Sequence, residues 1–126
     1  MLSLKKFLPG IAWFFLVLIL LCLPGDDLPK GATWMDAIMF DKWVHIGLFA
    51  VLGFLFMWPV GRTTVSKRQK LFWFARIAVS VSIWGLVMEF VQKYYIPGRS
   101  FDLMDWAADS IGALLAFVTA LKLFRK

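Results

Sequence analysis

The sequence is short of the residues that carry most soluble-protein chemistry. It has one cysteine, Cys22, and one histidine, His45, in 126 residues. A disulfide framework and a zinc site built from His and Cys are therefore excluded. Charge is sparse too: Asp, Glu, Lys and Arg make up 17% of the chain, against about a quarter in an ordinary soluble domain. There is no internal repeat and no low-complexity stretch, and no serine or cysteine stands in a nucleophile motif. A covalent serine mechanism has nothing to start from.

What is abundant is apolar surface. The chain is 61% hydrophobic with 13 Phe and 7 Trp, more than a soluble core of this length can hide. The excess lies in four charge-poor runs, which predict an all-α, integral-membrane four-helix bundle forming one domain over residues 1–126. The expected spans are 7–24, 43–60, 71–92 and 103–121, each near the length that crosses roughly 30 Å of hydrocarbon. Lys5 and Lys6 before the first run resemble a signal-peptide n-region. LCLPGDD, however, lacks a small-x-small cleavage site, and Leu21 before Cys22 fits no lipid-attachment motif, so a retained anchor is expected. Between the first two spans, TWMDAIMF pairs Thr33 with Asp36 in capping-box style, and a short helix lying in the outer interface is expected there.

Charge placement predicts the orientation. Lys5, Lys6, Arg62, Lys67, Arg68, Lys70, Arg76, Lys122, Arg125 and Lys126, ten in all, flank one side of the spans. The other side has four: Lys30, Lys42, Lys93 and Arg99. Both termini and the central loop are thus expected in the cytoplasm, with the protein in the cytoplasmic membrane. All eight acidic residues then fall on the outside or in the outer halves of spans. This segregation accounts for the net charge of +6 and leaves no case for nucleic acid as a partner. Trp34, Trp43, Trp106, Tyr94 and Tyr95 near one interface, with Trp58 and Trp73 near the other, form the expected aromatic belts.

Span four carries Ala108, Gly112, Ala116 and Ala120 at four-residue spacing, a ladder that lets a second helix approach closely. Gly47, Ala50 and Gly53 on span two, and Ala78, Ser82 and Gly85 on span three, offer matching small residues. Asp105 and Asp109 share the ladder's face and so point into the packing groove.

The polar residues converge on the outer side. Asp41 to His45 opens span two, Glu89 to Lys93 closes span three, and Pro97 to Asp105 leads into span four, with Asp109 one turn deeper. Asp41 has a structural role open to it as an N-cap, Asp102 and Asp105 as first-turn acids, and Lys42 and Lys93 as snorkelling cations. Arg76 has the same snorkelling role on the inner side. Glu89 is expected near a helix C-terminus, where the dipole opposes an anion. Asp109 is expected at a depth where an uncompensated carboxylate costs roughly 2.5–3.5 kcal/mol. These two acids, with His45 one turn after Asp41, are the strongest candidates for a site.

Asp41-Lys-x-x-His45, Glu89-x-x-Gln92 and Pro97-x-Arg99 followed by Asp105 and Gly112 resemble the VanZ-like family over about residues 41–116. The resemblance implies a small four-helix protein of the bacterial envelope, in a family whose founding member is associated with tolerance to the lipoglycopeptide teicoplanin. It implies Asp41, Lys42, His45, Glu89, Gln92, Arg99 and Asp105 as motif positions. Asp109 departs from the pattern, standing where the resemblance leads to Asn.

Four functions fit these residues. The leading one binds or processes an anionic amphiphile at the outer leaflet: a phospholipid, a lipid-linked wall precursor or an acylated antibiotic. His45, Glu89 and Asp105 would do acid–base work. Asp41, Lys42, Gln92, Arg99 and Asp109 would hold the ligand, Arg99 by bidentate bonds to phosphate or carboxylate. The second is a hard-metal site at His45 and the surrounding acids, suited to Mg²⁺, Mn²⁺ or Ca²⁺. No cofactor is required, and a divalent cation is admitted. The third, an ion or proton conductor, finds no continuous polar path through the apolar inner halves of spans two and four. The fourth is a structural scaffold with a hydrogen-bonded plug.

Overall fold

The computed structural model describes residues 4–22, 34–96 and 103–124, with side chains in the middle stretch from Lys42 onward. One turn of 3-10 helix, Leu4–Phe7, leads into α1 (Leu8–Leu21). Then follow α2 (Trp34–Gly61), α3 (Lys67–Tyr95) and α4 (Leu103–Leu123), with no strand among the described residues. Four stretches, Leu4–Leu21, Lys42–Gly61, Lys67–Tyr95 and Leu103–Leu123, are long and apolar enough to cross a membrane. The molecule is a multi-pass helical protein with an exterior suited to lipid: Ile19, Val79, Ile83 and Leu114 are all more than half exposed.

Two expectations change. Residues 34–40 do not form a separate interfacial helix; they are the first turns of α2. Neither glycine nor proline occurs between Trp34 and Ile46, so nothing interrupts the hydrogen-bond ladder there. Asp41 consequently lies inside α2 and does not N-cap it. At 28 and 29 residues, α2 and α3 are about 42 and 44 Å long, so both outreach the hydrocarbon core. That extra length also carries α3 on to Tyr95, which leaves Glu89 clear of the last turn and of most of the opposing helix dipole.

The ends of the elements follow local chemistry. Ser66 caps α3, its hydroxyl accepting from the Gln69 backbone N–H at 3.2 Å in an S-x-x-Q capping arrangement. Pro59 sits in the last turn of α2, which stops two residues later at Gly61.

The closest pair is α2 with α4, and the small-residue ladder is its contact surface. Ala108, Ala116 and Ala120 are at most 4% exposed, and Gly112 is buried among them. A Cβ on Gly112 would lie 2.5 Å from the Ile46 carbonyl oxygen and 2.9 Å from the Ala50 nitrogen, so backbone meets backbone. The register is constant: Lys42 faces Asp105 and His45 faces Asp109, sequence offsets of 63 and 64, and Gly53 faces Ala116 at the same offset of 63. Only two parallel helices keep one offset over so many turns. Dispersion and close approach, rather than a solvent-driven core, hold such a pair in lipid.

Apolar side chains complete two layers. One joins Val17, Phe49, Leu52, Val81 and Met88; the other joins Met57, Val60, Phe74, Ala116 and Ala120. α1 is the outermost helix: 17% of its spanning window is buried, against 44% for α2. The Trp13 indole N–H donates to the Leu48 carbonyl at 2.9 Å and anchors α1 to α2. Trp106 donates to the Ser82 carbonyl at 2.9 Å and Ser82 meets Ser110 at 2.7 Å, which ties α3 to α4.

Candidate functional site

The α2–α4 register brings the polar residues together at one end of the bundle. Lys42 and Asp105 form an ion pair at the rim, their side chains 15% and 8% exposed. One turn deeper, His45 Nδ1 is 2.7 Å from Asp109 Oδ1, with both side chains at most 2% exposed. His45 Nε2 faces the rim, 3.9 Å from Asp105 Oδ2. Glu89, 1% exposed, joins from α3: one ligand atom from each of His45, Glu89 and Asp109 lies within 4.8 Å of the others. The cluster is therefore graded, from a slightly exposed ion pair at the rim to a dry imidazole among carboxylates.

A glycine makes room for it. A Cβ on Gly85 would fall 2.8 Å from Asp109 Oδ2 and 2.9 Å from Asp109 Cβ. The Asp109 side chain thus packs directly on the backbone of α3, one turn before Glu89. Gly85 had counted only as a packing residue in the sequence. The signal was its position four residues before Glu89, on the same helical face.

The geometry sets the imidazole's role. An ionised Asp109 carboxylate would accept from an N–H at Nδ1, with Nε2 directed toward the rim. An imidazole so oriented can take a proton at Nε2 while Asp109 stabilises the cation, or can donate Nε2 to a metal. Asp109 bonds directly to His45 at Nδ1. The sequence puts Asp109 among the ligand contacts and assigns acid–base work to His45, Glu89 and Asp105; the structure sets Asp109 against the imidazole itself.

The remaining candidates separate. Gln92 is buried, but its amide N–H donates to the Leu21 carbonyl at 2.8 Å. It satisfies one of the last carbonyls of α1, which have no intrahelical donor, and so acts as a clasp between α3 and α1. Lys42 turns inward to Asp105 rather than snorkelling, whereas Lys93 stays exposed with its ammonium 5.1 Å from the Tyr94 ring. Arg99, Asp102 and the side chain of Asp41 lie outside the described residues.

These features define a class: a multi-pass helical membrane protein with a buried His–carboxylate cluster at one end. Comparison with protein-family models, with curated proteins and with solved structures found no match.

Proposed function

We propose that the chain is a VanZ-like protein of the bacterial cytoplasmic membrane, with its termini in the cytoplasm and its polar cluster at the outer leaflet. There it engages the headgroup of an anionic amphiphile: a phospholipid, a lipid-linked wall precursor or a lipoglycopeptide such as teicoplanin. The observation that carries this reading is the His45–Asp109 dyad with Nε2 turned toward the Lys42–Asp105 rim. Lys42 supplies a cation at the rim, and the segment between α3 and α4 supplies Arg99, whose guanidinium suits phosphate or carboxylate. His45 would accept a proton at Nε2 from water or a headgroup hydroxyl, and Asp109 would hold the resulting imidazolium.

The test is binding and turnover of the three amphiphile classes by purified protein, wild type against His45→Ala and Lys42→Gln. Loss of both binding and turnover in folded His45→Ala supports the site. Unchanged behaviour in both variants leaves a structural plug and sinks the proposal.

A second reading has its own observation, the convergence of His45, Glu89 and Asp109 from three helices. One nitrogen and several carboxylate oxygens suit a hard divalent cation, Mg²⁺, Mn²⁺ or Ca²⁺. Mn²⁺ titration followed by electron spin resonance distinguishes the readings. Nitrogen coupling lost in His45→Gln supports the cation, and no Mn²⁺ uptake by the protein rejects it.

A further inference from the structure

The opposite end of the bundle holds a cleft that the polar cluster does not use. α1 and α3 meet near the cluster end, where Gln92 bonds to Leu21 and the Phe14 and Trp84 rings lie 4.7 Å apart. Toward the other end α1 follows α2 instead, with Phe7 stacked on Phe56 at 6.0 Å. The helices therefore splay, and a cavity of ≈ 380 Å³ opens between Phe14, Leu52, Phe56, Ile77 and Val81, roofed by Trp84. A second, of ≈ 260 Å³, continues it past the shared Trp73 and Ile77 to Phe7, Val60 and Val65. Both are walled mostly by apolar side chains, with Ser80 and Thr63 among them, and together they reach the size of a small-ligand site.

One cation stands at this cleft. Arg76 lines it, exposed, with its guanidinium 5.2 Å from the rings of both Phe72 and Trp73. Among the described residues no carboxylate pairs with Arg76. The acids whose side chains are described, Glu89, Asp105 and Asp109, all sit in the cluster at the far end. Nine residues into α3, Arg76 is about 13 Å along the helix from Lys67, deeper than the basic residues that start the helix. The guanidinium lies against both rings beside the cleft, where its N–H groups suit a bidentate acceptor. From Arg76 to Trp84 the wall runs about 12 Å along α3.

We propose that this cleft holds an acyl chain of an anionic phospholipid whose phosphate is bound by Arg76. The mostly apolar wall favours a hydrocarbon chain, and the guanidinium beside it selects a negatively charged headgroup. Lys5, Lys6, Lys67 and Arg68 give the surrounding end the same sign. The site is independent of the His45 cluster, which lies at the opposite end of α3.

Electron spin resonance of chain-labelled phosphatidylglycerol and phosphatidylcholine, in bilayers containing the full chain, reads the proposal directly. Phosphatidylglycerol should be retained about fivefold more strongly than phosphatidylcholine, the effect of one basic group at a membrane surface. Arg76→Gln should bring the ratio close to one, whereas Lys122→Gln should leave it unchanged. Ser80→Trp, an exposed rim position, should reduce the immobilised population of both lipids and gives a second route if Arg76→Gln does not fold. Equal retention of the two lipids by the wild type, or full preference in folded Arg76→Gln, would overturn the proposal.

Discussion

At the residue scale, the cluster depends on two kinds of side chain: those that carry charge and those small enough to let charge in. Asp109 belongs to the first kind and Gly85 to the second. Gly85→Ala puts a methyl against the Asp109 carboxylate at 2.8 Å. We expect it to lower stability by about 1–3 kcal/mol, as overpacking of a rigid site does, read as a fall in Tm in detergent. Asp109→Asn should fold and retain the contact to Nδ1, because an amide oxygen also accepts a hydrogen bond. It removes the charge that stabilises an imidazolium, so proton transfer through His45 should weaken more than ligand binding does. Parallel assays of turnover and binding check this; equal losses in both would deny Asp109 an electrostatic role. The spacing Asp105–Asp109 placed both acids on one face, while their pairing with Lys42 and His45 required the register of α2.

At the element scale, the α2–α4 pair sets that register, and Gly112 is its tightest point. Gly112→Leu cannot be accommodated by side-chain movement, because what it meets is the Ile46 carbonyl and the Ala50 nitrogen. We expect a loss of several °C in Tm with disruption of the His45–Asp109 contact, while Leu121→Ile, a volume-conserving change, should cost under about 1.5 kcal/mol. Normal stability in Gly112→Leu would mean the two helices are not held by this groove. Gln92→Leu tests a different joint. It leaves the buried Leu21 carbonyl without its donor, which should cost about 1–3 kcal/mol and loosen α1. Faster proteolysis after α1, with the α2–α4 contact intact, is the expected outcome.

At the scale of the molecule, the two ends differ in kind. One gathers Glu89, Asp105 and Asp109 with His45 and Lys42; the other is basic and splayed around Arg76. Exposed Trp43, Tyr94 and Tyr95 mark the first end, and Trp58 and Trp73 the second, as side chains suited to the two interfaces. The proposed orientation puts the basic end in the cytoplasm. Reporter fusions after Lys126 and within residues 61–70 should both read cytoplasmic. An external signal from either would move the His45 cluster to the other face of the membrane.

Composition and spacing were enough to determine that this chain forms four apolar helices, which face of α4 packs, and that Glu89, Asp105 and Asp109 collect at one end. These are one-dimensional properties: hydrophobic length counts residues against a bilayer, and helical periodicity assigns faces without a partner. The helix boundaries were less legible, because nothing in TWMDAIMF distinguishes a separate surface helix from the first turns of α2. Tertiary structure alone decided which groups meet. Two parallel helices sharing one offset joined Lys42 to Asp105 and His45 to Asp109, a match that any slip of a turn would have altered. It also turned Gln92 from a motif position into a clasp on α1, and splayed α1 from α3 to open the cleft at Arg76. Contacts between helices depend on rotation, register and crossing together, and those emerge only when all the faces are packed at once.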